Sequence, residues 1–374
     1  GAEYVQMSVG KEKDNDPFGR LGANINYSSG IIEAYANIGL NRRVNGGGSW
    51  TDRDYVDPAT GYHYGFMNSR SKNSGEGNNI FARAGMTWHF TKKDEISVGF
   101  MGMRALSDGS RNSLVTDEGG IYDEYLSWAQ TNNKFFNPYI RTRESYNADK
   151  PEMNNFTLGY RHEWKSDQTL DVQGSYNKWH ADNSTGYDQH TVTTIGANEV
   201  NVDLFQKQEA TMANENLELQ IDYTQPLGRM GKIDAGYKGT KSHQNSPTET
   251  WKRADANAQW ESDYSLFNRF VYDQFQHAGY LNYQNRIGKK FGYQLGLRAE
   301  YWRVETQSKN YDQEYGTNNL INVDAVPAFK KTFFKVFPTV FLSYELPAHQ
   351  ELQLNYTRRL QRPWAGMMNS FKNI

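Results

Sequence analysis

Eight histidines, at positions 63, 89, 162, 180, 190, 243, 277 and 349, are the side chains best suited to acid–base or metal chemistry, and none falls into a spacing that such chemistry uses. No His-x-x-x-His or Glu-x-x-His pair is present to place two ligands on one helical face. His180 and His190 share a segment with Asp182 and Asp188, which could bind a cation or form a hydrolytic acid–base pair, or simply be solvated. Asp14-Asn15-Asp16 offers oxygens to calcium but lacks the spaced carboxylates and terminal glutamate of a dedicated loop, so a polar turn is the plainer reading. Gly46–Gly48 is too bare a pattern to cradle phosphate. The chain has no cysteine, which removes disulfides and thiolate metal sites. No catalytic residue, resident metal or cofactor is therefore expected.

Binding chemistry is better represented. Trp50, Tyr55, Tyr62, Tyr64 and Phe66 fall in one polar stretch, and Trp251 and Trp260 in another; rigid amphipathic rings supply contact area at low entropic cost, or pack such stretches against each other. The formal charge of −2 argues against a nucleic-acid partner, because neutralising phosphates needs a concentrated basic surface. The chain is hydrophilic, with a mean hydropathy of −0.85, yet 14% aromatic, and it contains no apolar run long enough for a membrane-spanning helix.

What positions these residues is visible in the alternation. Ile80, Ala82, Ala84, Met86, Trp88 and Phe90 share one parity, while Arg83, Gly85, Thr87, His89 and Thr91 share the other. A strand points successive side chains to opposite faces, so this segment has one apolar and one wet face. Thirteen such strands can be counted: around Val5–Val9, Leu21–Tyr27, Ile32–Leu40, Ile80–Phe90, Ile96–Phe100, Phe156–Trp164, Leu170–Tyr176, Leu217–Tyr223, Ile233–Tyr237, a strand before Gly288, Phe291–Tyr301, Val340–Tyr344 and Leu352–Tyr356. Each is read as the ~9–11 residues that a tilted transmembrane strand needs. Tight turns (Ser28-Ser29-Gly30, Lys92–Glu95, Lys165–Gln168, Pro226-Leu227-Gly228) alternate with long connections such as 41–79 and 107–153. That asymmetry distinguishes an all-β transmembrane antiparallel barrel, with short periplasmic turns and long extracellular loops, from a soluble sandwich. Within 107–153, Tyr122, Tyr125, Leu126 and Ala129 fall at helical spacing and predict a short surface helix.

On this reading Arg83, Arg161, Glu163, Asp222, Asp234, Lys238, Arg298, Glu300 and Arg359 share the inward parity. They form a mixed-sign lumen wall that could select solutes, grip a plug, or merely rigidify itself. Arg358 points outward if its strand's parity survives to the rim. Single-chain bacterial barrels have an even strand number, so an odd count predicts that residues 1–374 form part of a larger barrel.

Several segments resemble a known family. GAEYVQMSVG and GRLGANINYSSGIIEAYANIGLNRR, within Gly1 to Arg43, resemble the first barrel strands after the plug of TonB-dependent receptors, in their outer membrane beta-barrel family branch. FPTVFLSYELPAHQELQLNYTRRLQRPW resembles that branch's paired strands; Tyr356, Arg358, Arg359, Arg362 and Pro363 match its Tyr-x-Arg-Arg-x-x-Arg-Pro segment, with Thr357 where serine is common. YLNYQNRIGKKFGYQLGLRAEY is similar to the hairpin before it. The resemblance implies a barrel of about 22 strands in the bacterial outer membrane, a plug and a TonB box outside these residues, and energy-coupled import of a metal chelate, vitamin, peptide or glycan. It also implies contact with lipid and lipopolysaccharide, the TonB complex, and a surface lipoprotein or other protein partner. A passive porin and a surface adhesin remain alternatives.

Overall fold

A computed structural model describes residues 3–11, 17–119, 126–132, 136–165, 167–288, 290–313, 320–325, 328–347, 350–360, 362 and 365–368. The candidate calcium residues Asp14-Asn15-Asp16, together with Tyr122, Tyr125 and Pro363, lie outside them. The described chain is one antiparallel sheet with strands in sequence order. They are β1 (Glu3–Lys11), β2 (Pro17–Ser28), β3 (Ile32–Val56), β4 (His63–His89), β5 (Asp94–Gly119), β6 (Tyr139–Lys165), β7 (Gln168–Ile195), β8 (Asn198–Leu227), β9 (Gly231–Arg253), β10 (Glu261–Ser262), β11 (Asn268–Ile287), β12 (Phe291–Gln313), β13 (Leu320–Ala325), β14 (Phe329–Leu346) and β15 (Gln350–Thr357). The short β10 and β13 are side branches on β9 and β12; the remaining thirteen strands form the ladder and coincide with those read from alternation. Its two ends, β1 and β15, each have one neighbour among the described residues.

The tight turns sit where the sequence places them. Gly30 and Gly228 adopt φ of 76° and 64°, conformations that a side chain disfavours. From these turns the strands rise in register, so that the apolar parity of each meets the apolar parity of the next. Ala84, Phe100, Phe156, Tyr176 and Leu217 form one continuous row, and Leu281, Leu297 and Pro338 another. One step along, Asn37, Arg83, Met101, Asn155, Asn177, Asn216 and Ser242 make the corresponding row on the opposite face.

The apolar face has no protein against it. Leu158, Leu281 and Leu297 are 59%, 54% and 53% exposed, and only ten hydrophobic side chains are buried among the described residues. Leaving a leucine in water forfeits ~1.5–3 kcal/mol of burial, a loss repeated around the sheet unless hydrocarbon covers it. The ladder also satisfies the backbone groups that lipid cannot. This is the wall of a transmembrane β-barrel.

The long connections differ from expectation. Segments 41–79 and 107–153 are mostly β-structure: β3 and β4 run for 25 and 27 residues, and β8 for 30. At ~3.3 Å per residue these strands far exceed the ~9–11 needed to cross lipid, so the hairpins project well beyond it. The alternation fades there because both faces meet water, while the backbone ladder continues regardless. Register shifts at Asn78/Asn79 and between Arg104 and Gly109 lie just above the apolar belt, where bulges re-aim a strand. Gly46–Gly48 sits inside this ladder, and a Cβ at Gly48 would meet the Ser71 carbonyl oxygen at 2.8 Å. The predicted helix is present as α1 (Leu126–Thr131), with Ala129 fully buried.

Candidate functional site in the barrel lumen

The inward charges largely answer one another. Lys238 Nζ lies 2.6 Å from Glu218, Arg161 3.6 Å from Asp171, and Lys232 3.0 Å from Asp234, which also accepts a 2.8 Å bond from Thr224. Tyr280 donates to Asp222, and Arg83 lies over the Tyr35 ring at 5.0 Å. Arg298 Nε donates to Glu300 at 2.6 Å. Of the three roles open to these residues, geometry favours a self-rigidifying wall. Glu163 sits by a register shift at the base of β6, its amide donating to the Lys93 carbonyl at 2.8 Å.

The Arg-Arg-x-x-Arg-Pro segment departs from expectation. β15 ends at Thr357, so strand parity carries no meaning for Arg358 and Arg359, both exposed. Arg362 pairs instead with Glu300, whose side chain is only 9% exposed. Beyond it, the turn α2 (Ala365–Met368) packs on Phe270, Tyr272, Trp302, Val304 and Phe333 of β11, β12 and β14. Trp302 and Val304 take the inward parity on β12, opposite to Leu295 and Leu297. The segment therefore forms a strap on the inner wall, seated on an apolar patch and fastened by a carboxylate between two guanidiniums.

Above the belt, a cavity of about 790 Å³ opens on the inner face of the projecting strands. Trp179 and Asn183 come from β7, Gln208 from β8, and Gln244, Ser246 and Thr248 from β9, while Gly366 of the strap borders one side. Sequence reading missed these residues, because their segments were taken as loops.

The predicted aromatic residues gather in two clusters at the far end, on hairpins rather than loops. Tyr55 and Tyr64 stack at 5.8 Å, and Tyr62 and Tyr64 meet Trp128 of α1. Tyr55 donates to Glu118 at 2.5 Å, and Tyr139 donates to the other oxygen of the same carboxylate; burial first, then that carboxylate, pushes the Tyr55 phenol up to about 12. Phe66 lies on β4 opposite Asp54, whereas Trp50 is 73% exposed on β3. In the second cluster Lys207 lies 4.7 Å from the Trp251 ring and 5.2 Å from Trp260, and Arg253 lies over Trp260 at 4.7 Å. Most of these rings pack against their own neighbours.

The histidine–aspartate group does not converge. His180 and His190 are ten residues apart on one extended strand, roughly 33 Å. His180 faces Asp182 at 3.3 Å and His190 faces Asp203 at 2.8 Å. At the periplasmic turn, below the belt that begins at Ile96, Asp94 accepts bonds from Thr91, His162 and Tyr160 and is held down at about 2. No group of three metal-ligating side chains occurs among the described residues.

The model of the outer membrane protein beta-barrel family matches residues 162–374. No curated protein sequence matches the chain. Among solved structures it is similar to the outer membrane protease OmpT of Escherichia coli, at 12% identity over 86% of this chain and 98% of that one, with a TM-score of 0.27. It is also similar to the toluene transporter TodX of Pseudomonas putida, at 10% identity over 92% and 82%, with a TM-score of 0.28.

Proposed function

Because the chain belongs to the outer membrane protein beta-barrel family, we propose that it forms part of the wall of a receptor that captures a scarce solute outside the cell and imports it with TonB-coupled energy. A plug and further strands, supplied outside residues 1–374, complete it on this reading. The observation that carries the proposal is the strap. An open channel gains from a clear lumen, whereas here part of the inner wall is apolar and covered by the chain's own Ala365–Met368 turn. Projecting hairpins whose inner face carries a cavity suit capture better than free diffusion.

The competing reading is a passive barrel, and conductance separates the two. Full-length protein inserted into a planar bilayer in potassium chloride is expected to show no stable open level, and solute uptake by cells should cease when TonB is deleted. A steady ohmic conductance together with TonB-independent uptake would establish the passive barrel instead. A surface lipoprotein or other protein partner is also proposed for the hairpins, where Trp50 is the ring most open to contact.

A further inference from the structure

The lining of the upper cavity limits what can occupy it. Its polar groups Asn183, Gln208, Gln244, Ser246 and Thr248 are all neutral, and no lysine or arginine borders it among the described residues. Two carboxylates do, Asp108 and Asp149, but both are engaged. Asp108 takes a two-oxygen contact from Arg43 at 2.8 and 2.9 Å, and Asp149 accepts from Asn183 and, at 3.2 Å, from Asn147. An anionic chelate would find no cation to replace its hydration; of the carboxylates, Asp108 is neutralised by Arg43 and Asp149 has its oxygens occupied by amides.

Amides and hydroxyls each donate and accept, which is what a ligand bearing many hydroxyl groups demands. Several are already oriented: Gln208 donates to Thr250 at 3.1 Å and Gln244 to Ser246 at 3.0 Å, which fixes how their remaining lone pairs and hydrogens are presented. Trp179 adds a flat apolar ring. It is half-buried and, among the described residues, stacks on no other aromatic ring, unlike the rings of the far-end clusters. A ring face beside a row of amides matches a pyranose, whose C–H face is apolar and whose edge is hydroxylated. The volume falls within the ~300–1,000 Å³ typical of small-ligand sites.

We propose that this cavity binds a short neutral oligosaccharide, with Trp179 stacking on a sugar ring and the β7–β9 amides pairing with its hydroxyls. The proposal deepens the import reading by naming the solute class, but binding itself requires no energy coupling.

The test is equilibrium titration of the full-length protein in detergent micelles with a panel of neutral gluco-, galacto-, manno-, xylo- and fructo-oligosaccharides. Their sulfated counterparts and an uncharged-side-chain peptide provide the contrast. At least one neutral sugar should saturate the protein. Trp179→Ala and, separately, Gln244→Glu should each weaken it by about tenfold or more, equivalent to ~1.4 kcal/mol, with heat-modifiable gel mobility unchanged to show an intact fold. Saturation by no neutral sugar, preference for the sulfated forms or the peptide, or full affinity in both folded variants would overturn it. Sugar binding without TonB-dependent uptake would sink the import reading and leave this one standing; energised uptake of a non-sugar would do the reverse.

Discussion

Leu158→Arg is expected to lower folding stability in lipid vesicles by about 2–4 kcal/mol, the cost of a cation at the bilayer midplane on the lipid face of a barrel. Leu158 is more than half exposed, and its register partners Val98 and Gly174 lie in the middle of the apolar belt. No protein surface covers the residue, so a soluble sheet would tolerate arginine there. Asn177→Arg, on the inward row between Asn155 and Asn216, provides the contrast. Its cation would enter water, and a loss below about 1 kcal/mol is expected because lumen substitutions change selectivity more than stability. Urea titration of vesicle-inserted protein gives both values. Equal losses would remove the distinction between the faces.

The second large effect concerns the strap. Glu300→Gln removes the one carboxylate bonded to both Arg298 and Arg362, leaving two guanidiniums against a wall where the glutamate is almost fully buried. Breaking a fully buried pair costs ~3–5 kcal/mol and an exposed one under ~1. Arg362 and Arg298 are 27% and 35% exposed, so an intermediate ~2 kcal/mol is expected. That loss should release the strap before it unfolds the barrel, since the ladder does not depend on α2. Trypsin would then cleave at Arg358 and Arg359 about thirtyfold faster by the usual conversion of free energy to populations. The double variant E300Q/R362Q should recover part of the protection, because the apolar patch remains and no unpaired Arg362 charge is left behind. Unchanged cleavage in E300Q would mean that the patch alone holds the strap.

Alternation revealed the transmembrane part of the fold because lipid and water impose opposite demands on adjacent residues. Ile80 to Phe90 could be assigned a face without any neighbour in view. Trp50 and Gly46–Gly48 could not, since on the projecting hairpins both faces are wet and nothing in composition separates a solvated strand from a solvated loop. The cavity was hidden for the same reason: Trp179, Gln208 and Gln244 become neighbours only through the pairing of β7, β8 and β9. Arg358 and Arg359 illustrate a different error. Parity was extended to them past Thr357, where the ladder stops and the chain turns onto the inner wall; Arg362 was matched to a motif and given no place in the fold. The lumen charges were correctly assigned to one face, but parity cannot say that Lys238 meets Glu218 or that Tyr280 meets Asp222. Those pairings rest on the register of three strands.

The most direct test exploits the absence of cysteine from residues 1–374, so that an introduced thiol is unique within them. Spin labels placed singly along β6 from Met153 to Arg161, in protein reconstituted into lipid, report access to dissolved oxygen and to a water-soluble nickel complex. Labels at Phe156, Leu158 and Tyr160 should favour oxygen and those at Asn155, Thr157 and Gly159 nickel, alternating with period two. Uniform access to nickel along the strand, or alternation in the opposite phase, would contradict a wall with hydrocarbon on one side and water on the other.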